Sequence, residues 1–168
     1  MILGIYGKPR SGKTTYAAKI AASNHFSKMR YLKRHGSLDG FKGYPVIYCT
    51  DPSIMYTVTI DYSDVGTFKP TWGSLFIFEE AGIGFNNRDF KKLTSDATYF
   101  FATCGHNNVD IIWSSQSVDV DKKLKERTHQ IYICEKKGVF SIMHLIDYSV
   151  DVIEHMLDDY YTKPSGLV

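Results

Sequence analysis

The sequence predicts an α/β fold, a mostly parallel sheet with helices on both faces and a C-terminal β-hairpin. Three observations carry that expectation. Short apolar runs alternate with segments of helical period. The stretch "GKPRSGKT" (7–14) stands between an apolar run and a helical one. "LFIFEE" (75–80) ends a third apolar run in two carboxylates.

The chain has 168 residues, which suits one domain spanning 1–168 with a sizeable core. Hydrophobic residues make up 43% and charged residues 23%, a balance that excludes a disordered chain. No apolar run approaches the roughly 18–20 residues that cross a bilayer. "MILGIYGKPR" has no basic leader region and passes directly into the glycine loop, so a cytoplasmic location is expected. Cys49, Cys104 and Cys134 are odd in number, far apart and without a C-x-x-C pair, which indicates neither a zinc site nor a disulfide framework. The histidines show no metal-ligand spacing. A net charge of +2 does not by itself argue for nucleic acid.

"ILGIY" (2–6) reads as a buried strand ended by Gly7. In "KTTYAAKIAA" (13–22) Tyr16, Ala17, Ile20 and Ala21 recur at helical spacing among good helix formers, so a helix follows the loop. Residues 23–44 are basic, aromatic and poorly periodic, and no element is assigned there. "PVIYCT" (45–50) reads as a second buried strand, and "YTVTIDY" (56–62) as an edge strand or hairpin arm. "SLFIFEE" (74–80) is a strand, followed by "GIGFNN" (82–87) as a flexible loop. Phe90, Leu93, Ala97, Phe100, Phe101 and Cys104 place a helix over 89–104, with Asp89 near its cap. "VDIIWSSQ" (109–116) is a strand with a polar tip, and 119–127 a short charged helix. Residues 129–148 read as two strands around the turn Lys136-Lys137-Gly138, and 150–161 as helical.

The loop matches G-x-x-x-x-G-K-[ST] at every fixed position. Its glycines let backbone N–H groups approach a phosphate, and the following helix adds its positive end. Gly7, Lys8, Pro9, Arg10, Ser11, Gly12, Lys13, Thr14 and Thr15 are therefore the expected nucleotide contacts. Lys13 reaches the β- and γ-phosphates, and the Thr14 hydroxyl completes a magnesium shell. Hydrolysis further requires a carboxylate on the magnesium side and a group to orient water. Successive strand residues point to opposite faces, so Glu79 is assigned to magnesium and Glu80 to the base or water-positioning role. Gln116, at the tip of another strand, is placed to sense the γ-phosphate or to hold the water; otherwise it is a simple polar strand exit.

"GKPRSGKTTYAA", "LFIFEEAGIGF" and "HNNVDIIWSSQS" together resemble the ATPase domain of zonular occludens toxin-like proteins, the assembly ATPases of filamentous phages, within the FtsK–HerA superfamily. The order and spacing agree over roughly residues 1–135. The resemblance implies a P-loop NTPase of the ASCE, RecA-like kind that uses ATP and Mg2+. It implies Lys13 and Thr14 for nucleotide and magnesium, Glu79 where the family has aspartate, Glu80 as catalytic glutamate and Gln116 as sensor. It also implies ring-forming oligomers in which an arginine completes the neighbour's site, for which Arg127, or else Arg88, is the candidate. Family members of the toxin type usually carry a membrane span after this domain. The chain reaches Val168 without one, so an excised domain or a soluble, virion-associated relative is expected, with a capsid or membrane-complex partner.

In "KIAASNHFSKMRYLKRH" (19–35), Lys19, Lys28, Arg30, Lys33 and Arg34 interleave with Phe26 and Tyr31. That mixture suits DNA, through phosphate attraction and base stacking, and equally suits a solvated helix flank. Three functions follow as expectations: an oligomeric motor that packages or extrudes DNA, a small-molecule kinase, or a nucleotide-binding assembly subunit with little turnover. The arginine-rich lid of a kinase is missing from the sequence, and the paired acids favour the motor.

Overall fold

The structure, a computed structural model, describes residues 1–85 and 95–146. Seven strands form one sheet: β1 (Ile2–Tyr6), β2 (Ile47–Cys49), β3 (Val58–Thr59), β4 (Leu75–Phe78), β5 (Asp110–Ser115), β6 (Gln130–Lys137) and β7 (Phe140–Ile146). Their spatial order is β3-β2-β4-β5-β1-β6-β7. Six run parallel, and β7 pairs antiparallel with β6 as the expected C-terminal hairpin. The helices are α1 (Lys13–His35), α2 (Ala81–Gly84), α3 (Ser95–Thr103) and α4 (Lys122–Glu126).

Alternation along each strand divides the core in two. Ile2 and Tyr6, Phe76 and Phe78, and Ile111 and Trp113 face one side, where Phe85, Ala97, Phe100 and Phe101 cover them. Leu3 and Ile5, Leu75 and Ile77, and Ile112 face the other, under Ala17 and Ala21 of α1. Strands buried on both faces read as unbroken apolar runs, which is why the sequence shows no alternation there.

Four expectations are corrected. The first helix runs on to His35 instead of ending near residue 22; its mostly polar second half hides the period, while basic Lys33, Arg34 and His35 suit its C-terminal end. Gly36 stops it at φ 74, with its N–H donating to Leu32 O at 2.8 Å. Residues 58–59 form an edge strand parallel to β2, so the hairpin alternative falls away. The β6–β7 turn is Gly138-Val139, since Lys136 and Lys137 still pair with Ser141 and Phe140. Residues 81–84 form a helical turn, and the glycines of "AGIG" serve close packing: a Cβ on Gly82 would lie 2.6 Å from Ser115 Oγ, and one on Gly84 2.3 Å from the Tyr62 ring. Helix 89–104 is present from Ser95; its start, Arg88 and the 150–161 segment lie outside the described residues. No helix among the described residues is long and apolar enough to cross a membrane.

Trp113 locks the sheet centre. Its ring stands edge-on to Tyr6 with centroids 5.1 Å apart, and its indole N–H donates to Thr128 Oγ1 at 3.0 Å. It lies directly over Gly4, where a Cβ would come within 2.3 Å of the ring. Gly4→Ala is therefore expected to cost about 1–3 kcal/mol by overpacking, read as a lower urea midpoint. An unchanged midpoint would show that the indole does not cover β1.

Candidate functional site

β1 and β5 are parallel neighbours with Tyr6 opposite Ser115, and they end at the same edge. Beyond them the Gly7 N–H donates to Ser115 O at 3.2 Å, which ties the loop to the tip of β5. The loop then turns with Arg10 at φ 62 and Gly12 at φ 109, the left-handed conformation that glycine accommodates best. No side chain caps α1 at Gly12, so the first N–H groups of the helix are left for a ligand. The Lys13 side chain folds back inside, its ammonium donating to Gly7 O at 2.8 Å and Lys8 O at 3.2 Å. Burial lowers its pKa, against the charges of Glu80 and Glu79 that raise it.

The loop fits a phosphate on its own chemistry. A Cβ on Gly12 would meet Ser141 Oγ at 2.2 Å, and one on Gly7 would meet Cys134 O at 2.8 Å, so glycine is required at both places. Ser11 Oγ is buried without a hydrogen-bond partner among the described residues. Pro9 and Arg10 are exposed at the tip of the loop, and Thr14 and Thr15 are exposed in the first turn of α1.

β4 lies next to β5, and its last residue, Phe78, is opposite Trp113. The two acids follow immediately. Glu79 is 8% exposed, and its Oε2 accepts from Thr14 Oγ1 at 2.9 Å and from Ser114 Oγ at 3.1 Å. Thr14 and Glu79 thus meet, as expected for two groups on one metal shell, and this carboxylate–hydroxyl pair suits a hard cation such as Mg2+. Glu80 departs from the expectation in its backbone: the strand has already ended, and Glu80 sits at φ 58. The two carboxylates have different partners all the same. Glu80 Oε1 accepts from Gln116 Nε2 at 2.6 Å, and the Glu80 N–H donates to Ser114 Oγ at 3.3 Å.

Sequence reasoning missed the groups that hold this pair. The Ser114 hydroxyl accepts from the Glu80 backbone while donating to Glu79. Thr50 Oγ1 accepts the Glu79 N–H at 2.9 Å, and the Tyr62 hydroxyl donates to the Glu79 carbonyl. Burial pushes the Tyr62 phenol well above its ordinary range, so it stays a donor. The only signal for these residues was their position just after apolar runs. Cys134 Sγ donates to Ser11 O at 3.2 Å, so the C-terminal hairpin braces the loop.

Arg127 is not brought to this site within its own chain. It follows α4 beside Thr128 and His129, and the His129 N–H donates to Ile2 O at the start of β1. The loop begins at the other end of β1, about 16 Å away by strand rise.

A glycine loop closed on a buried lysine, with two acids and an amide at the same carboxyl edge of a parallel sheet, defines a P-loop nucleoside-triphosphatase fold. The chain belongs to the zonular occludens toxin (Zot) family, whose profile matches residues 1–159. The N-terminal domain of zonular occludens toxin from Neisseria meningitidis is similar over 94% of this chain and 89% of that one, with 18% identity and a TM-score of 0.65. The flagellar accessory protein FlaH of Methanocaldococcus jannaschii is similar over 88% of this chain and 78% of that one (12% identity, TM-score 0.54). The DNA-packaging ATPase B204 of Sulfolobus turreted icosahedral virus is a weaker likeness, over 82% and 77% (18% identity, TM-score 0.48). No curated protein sequence matches.

Burial is the largest influence on Glu79 and raises its carboxyl above the ordinary 4.5, outweighing the Thr14 and Ser114 hydroxyls; Asp51 and Glu80 add to the rise. The folded state therefore keeps a proton that the unfolded chain has released. Stability of the ligand-free protein falls as pH rises from about 4.5 to the folded pKa. Glu79→Gln is expected to remove that slope in urea midpoints taken across this range. Parallel curves for the two proteins would contradict the burial account.

Proposed function

We propose that this chain is an ATP-hydrolysing motor of the zonular occludens toxin and FtsK–HerA type. In this reading it acts as an oligomer in viral or phage DNA packaging or in virion extrusion. The observation that carries the proposal is the convergence of Lys13, the Thr14–Glu79 pair and the Glu80–Gln116 pair at one sheet edge.

The loop N–H groups and the α1 terminus hold the β-phosphate, and Lys13 shifts from the loop carbonyls to the β- and γ-phosphates. Thr14 and Glu79 would hold magnesium, which would supply positive charge to the transferring phosphoryl group. Glu80 accepts the proton of a water positioned by Gln116. The water oxygen bonds to the γ-phosphorus as its bond to the bridging oxygen breaks, leaving ADP and phosphate. Arg127, exposed and remote from its own loop, acts on a neighbouring subunit. A capsid or membrane-complex partner and a place in the host cytoplasm or virion belong to the same reading.

Steady-state ATP hydrolysis with and without Mg2+ and DNA tests it. Lys13→Ala is expected to lose nucleotide binding. Glu80→Gln is expected to bind ATP normally and to turn over roughly 10²–10⁴-fold more slowly. Turnover untouched in Glu80→Gln would remove that residue from the base role. Phosphate delivered to a nucleoside instead of water would establish the kinase. Mixing Glu80→Gln with Arg127→Ala subunits should restore part of the rate if the arginine serves a neighbour, because some mixed sites then hold both intact groups. No recovery would remove Arg127 from that role.

A further inference from the structure

α1 continues well past the phosphate loop, and one side of it forms a groove of about 860 Å³ with residues 40–44. Lys19, Arg30 and Arg34 line it from the helix and Lys42 from the opposite wall. Positions 19, 30 and 34 are separated by three turns and one turn, so they share a helix face over about 22 Å. No carboxylate lines the groove among the described residues. Of the nearby acids, Asp110 pairs with the N-terminal ammonium and accepts from the Tyr44 hydroxyl at 3.0 Å, while Asp39, just before Gly40, accepts from Ser37 Oγ at 3.1 Å and its carbonyl accepts from the Tyr31 hydroxyl at 2.7 Å.

The basic run is sorted by this geometry. Lys28 is committed to structure, donating to Pro45 O at 2.6 Å. Lys33 does not line the groove; it lies in an adjoining depression with Phe26 and Met29, and Arg30 stands between the two. Tyr31 and Phe41 line the cationic groove with ring centroids 5.4 Å apart. Row-like cations attract a polyanion, and aromatic rings reward a ligand that can lay unpaired bases on them. A duplex keeps its bases stacked inside and gains only the first of these.

We propose that the groove between α1 and residues 40–44 binds single-stranded nucleic acid, with Lys19, Arg30, Arg34 and Lys42 on phosphates and Tyr31 and Phe41 on bases. The motor reading supplies only the choice of DNA as the natural strand; binding here requires no ATP turnover. Because the groove is built on the helix that closes the phosphate loop, strand contact and nucleotide state act on one rigid element.

The test is fluorescence anisotropy of labelled oligo(dT), oligo(U) and duplex DNA, about 12 nucleotides or base pairs long, without nucleotide, over roughly 50–300 mM NaCl. Four phosphate contacts predict a slope of log affinity on log salt near −3 for the single strand, reduced to about −1.5 in Arg30→Ala/Arg34→Ala. Tyr31→Ala/Phe41→Ala should weaken binding about tenfold or more with the slope kept, and Lys33→Ala should change neither. Equal binding of oligo(U) supports a single-strand site without sugar preference. Duplex bound as tightly as single strand, or an unchanged slope in the arginine double variant, overturns the proposal. So does a double variant that alters only sedimentation, because a second copy of the chain would then cover the groove. ATP turnover measured on the same proteins separates the readings: wild type that binds strand but hydrolyses nothing fails as a motor and keeps the groove.

Discussion

Everything at the site depends on parallel strands that end together. β1, β4 and β5 deliver the phosphate loop, the two acids and the Ser-Ser-Gln tip to one edge, although these lie far apart in the chain. The bond from the Gly7 N–H to Ser115 O sets the loop against β5, and the Phe78–Trp113 pairing sets the acids against it from the other side. β5 is thus the common wall. Its Ser114 hydroxyl touches both acids, and the amide of Gln116, the residue just after it, reaches the outer one. A shift of one residue in the β4–β5 register would turn the residues of one strand to the wrong face relative to the other and part Ser114 from the acids.

That constraint explains which features were legible in the sequence. A parallel strand buried on both faces must be an apolar run, and a run that ends at a ligand edge must end in polar groups. The phosphate loop was legible from its motif, and Glu79, Glu80 and Gln116 stood out as candidates by that rule. The sheet's handling of Glu80 could not, because the turn to φ 58 depends on Gly82 and Gly84 fitting against Ser115 and Tyr62. Those contacts join segments distant in the chain, so the glycines read as flexibility when they report tight packing. The second half of α1 was hidden for the opposite reason: only Ala17 and Ala21 are buried along the helix beyond Lys13, and a helix lying mostly on the surface leaves little apolar period to detect.

The C-terminal hairpin acquires a role that no motif announces. Cys134 bonds to the Ser11 carbonyl, and Ser141 stands over Gly12. Two residues of the outer hairpin therefore brace the loop at Ser11 and at the left-handed Gly12. Rigidity there matters because a loop that must order its N–H groups on binding loses affinity to that ordering.

α1 joins the phosphate loop to the basic groove. Its first turn supplies Lys13 and Thr14, and its last turns supply Arg30 and Arg34, about 25–30 Å further along by helix rise. No glycine or proline interrupts the helix between them, and the αL stop comes only at Gly36. A helix without a hinge moves as one body, so in the proposed motor any displacement of the phosphate loop on nucleotide exchange would carry the basic face with it.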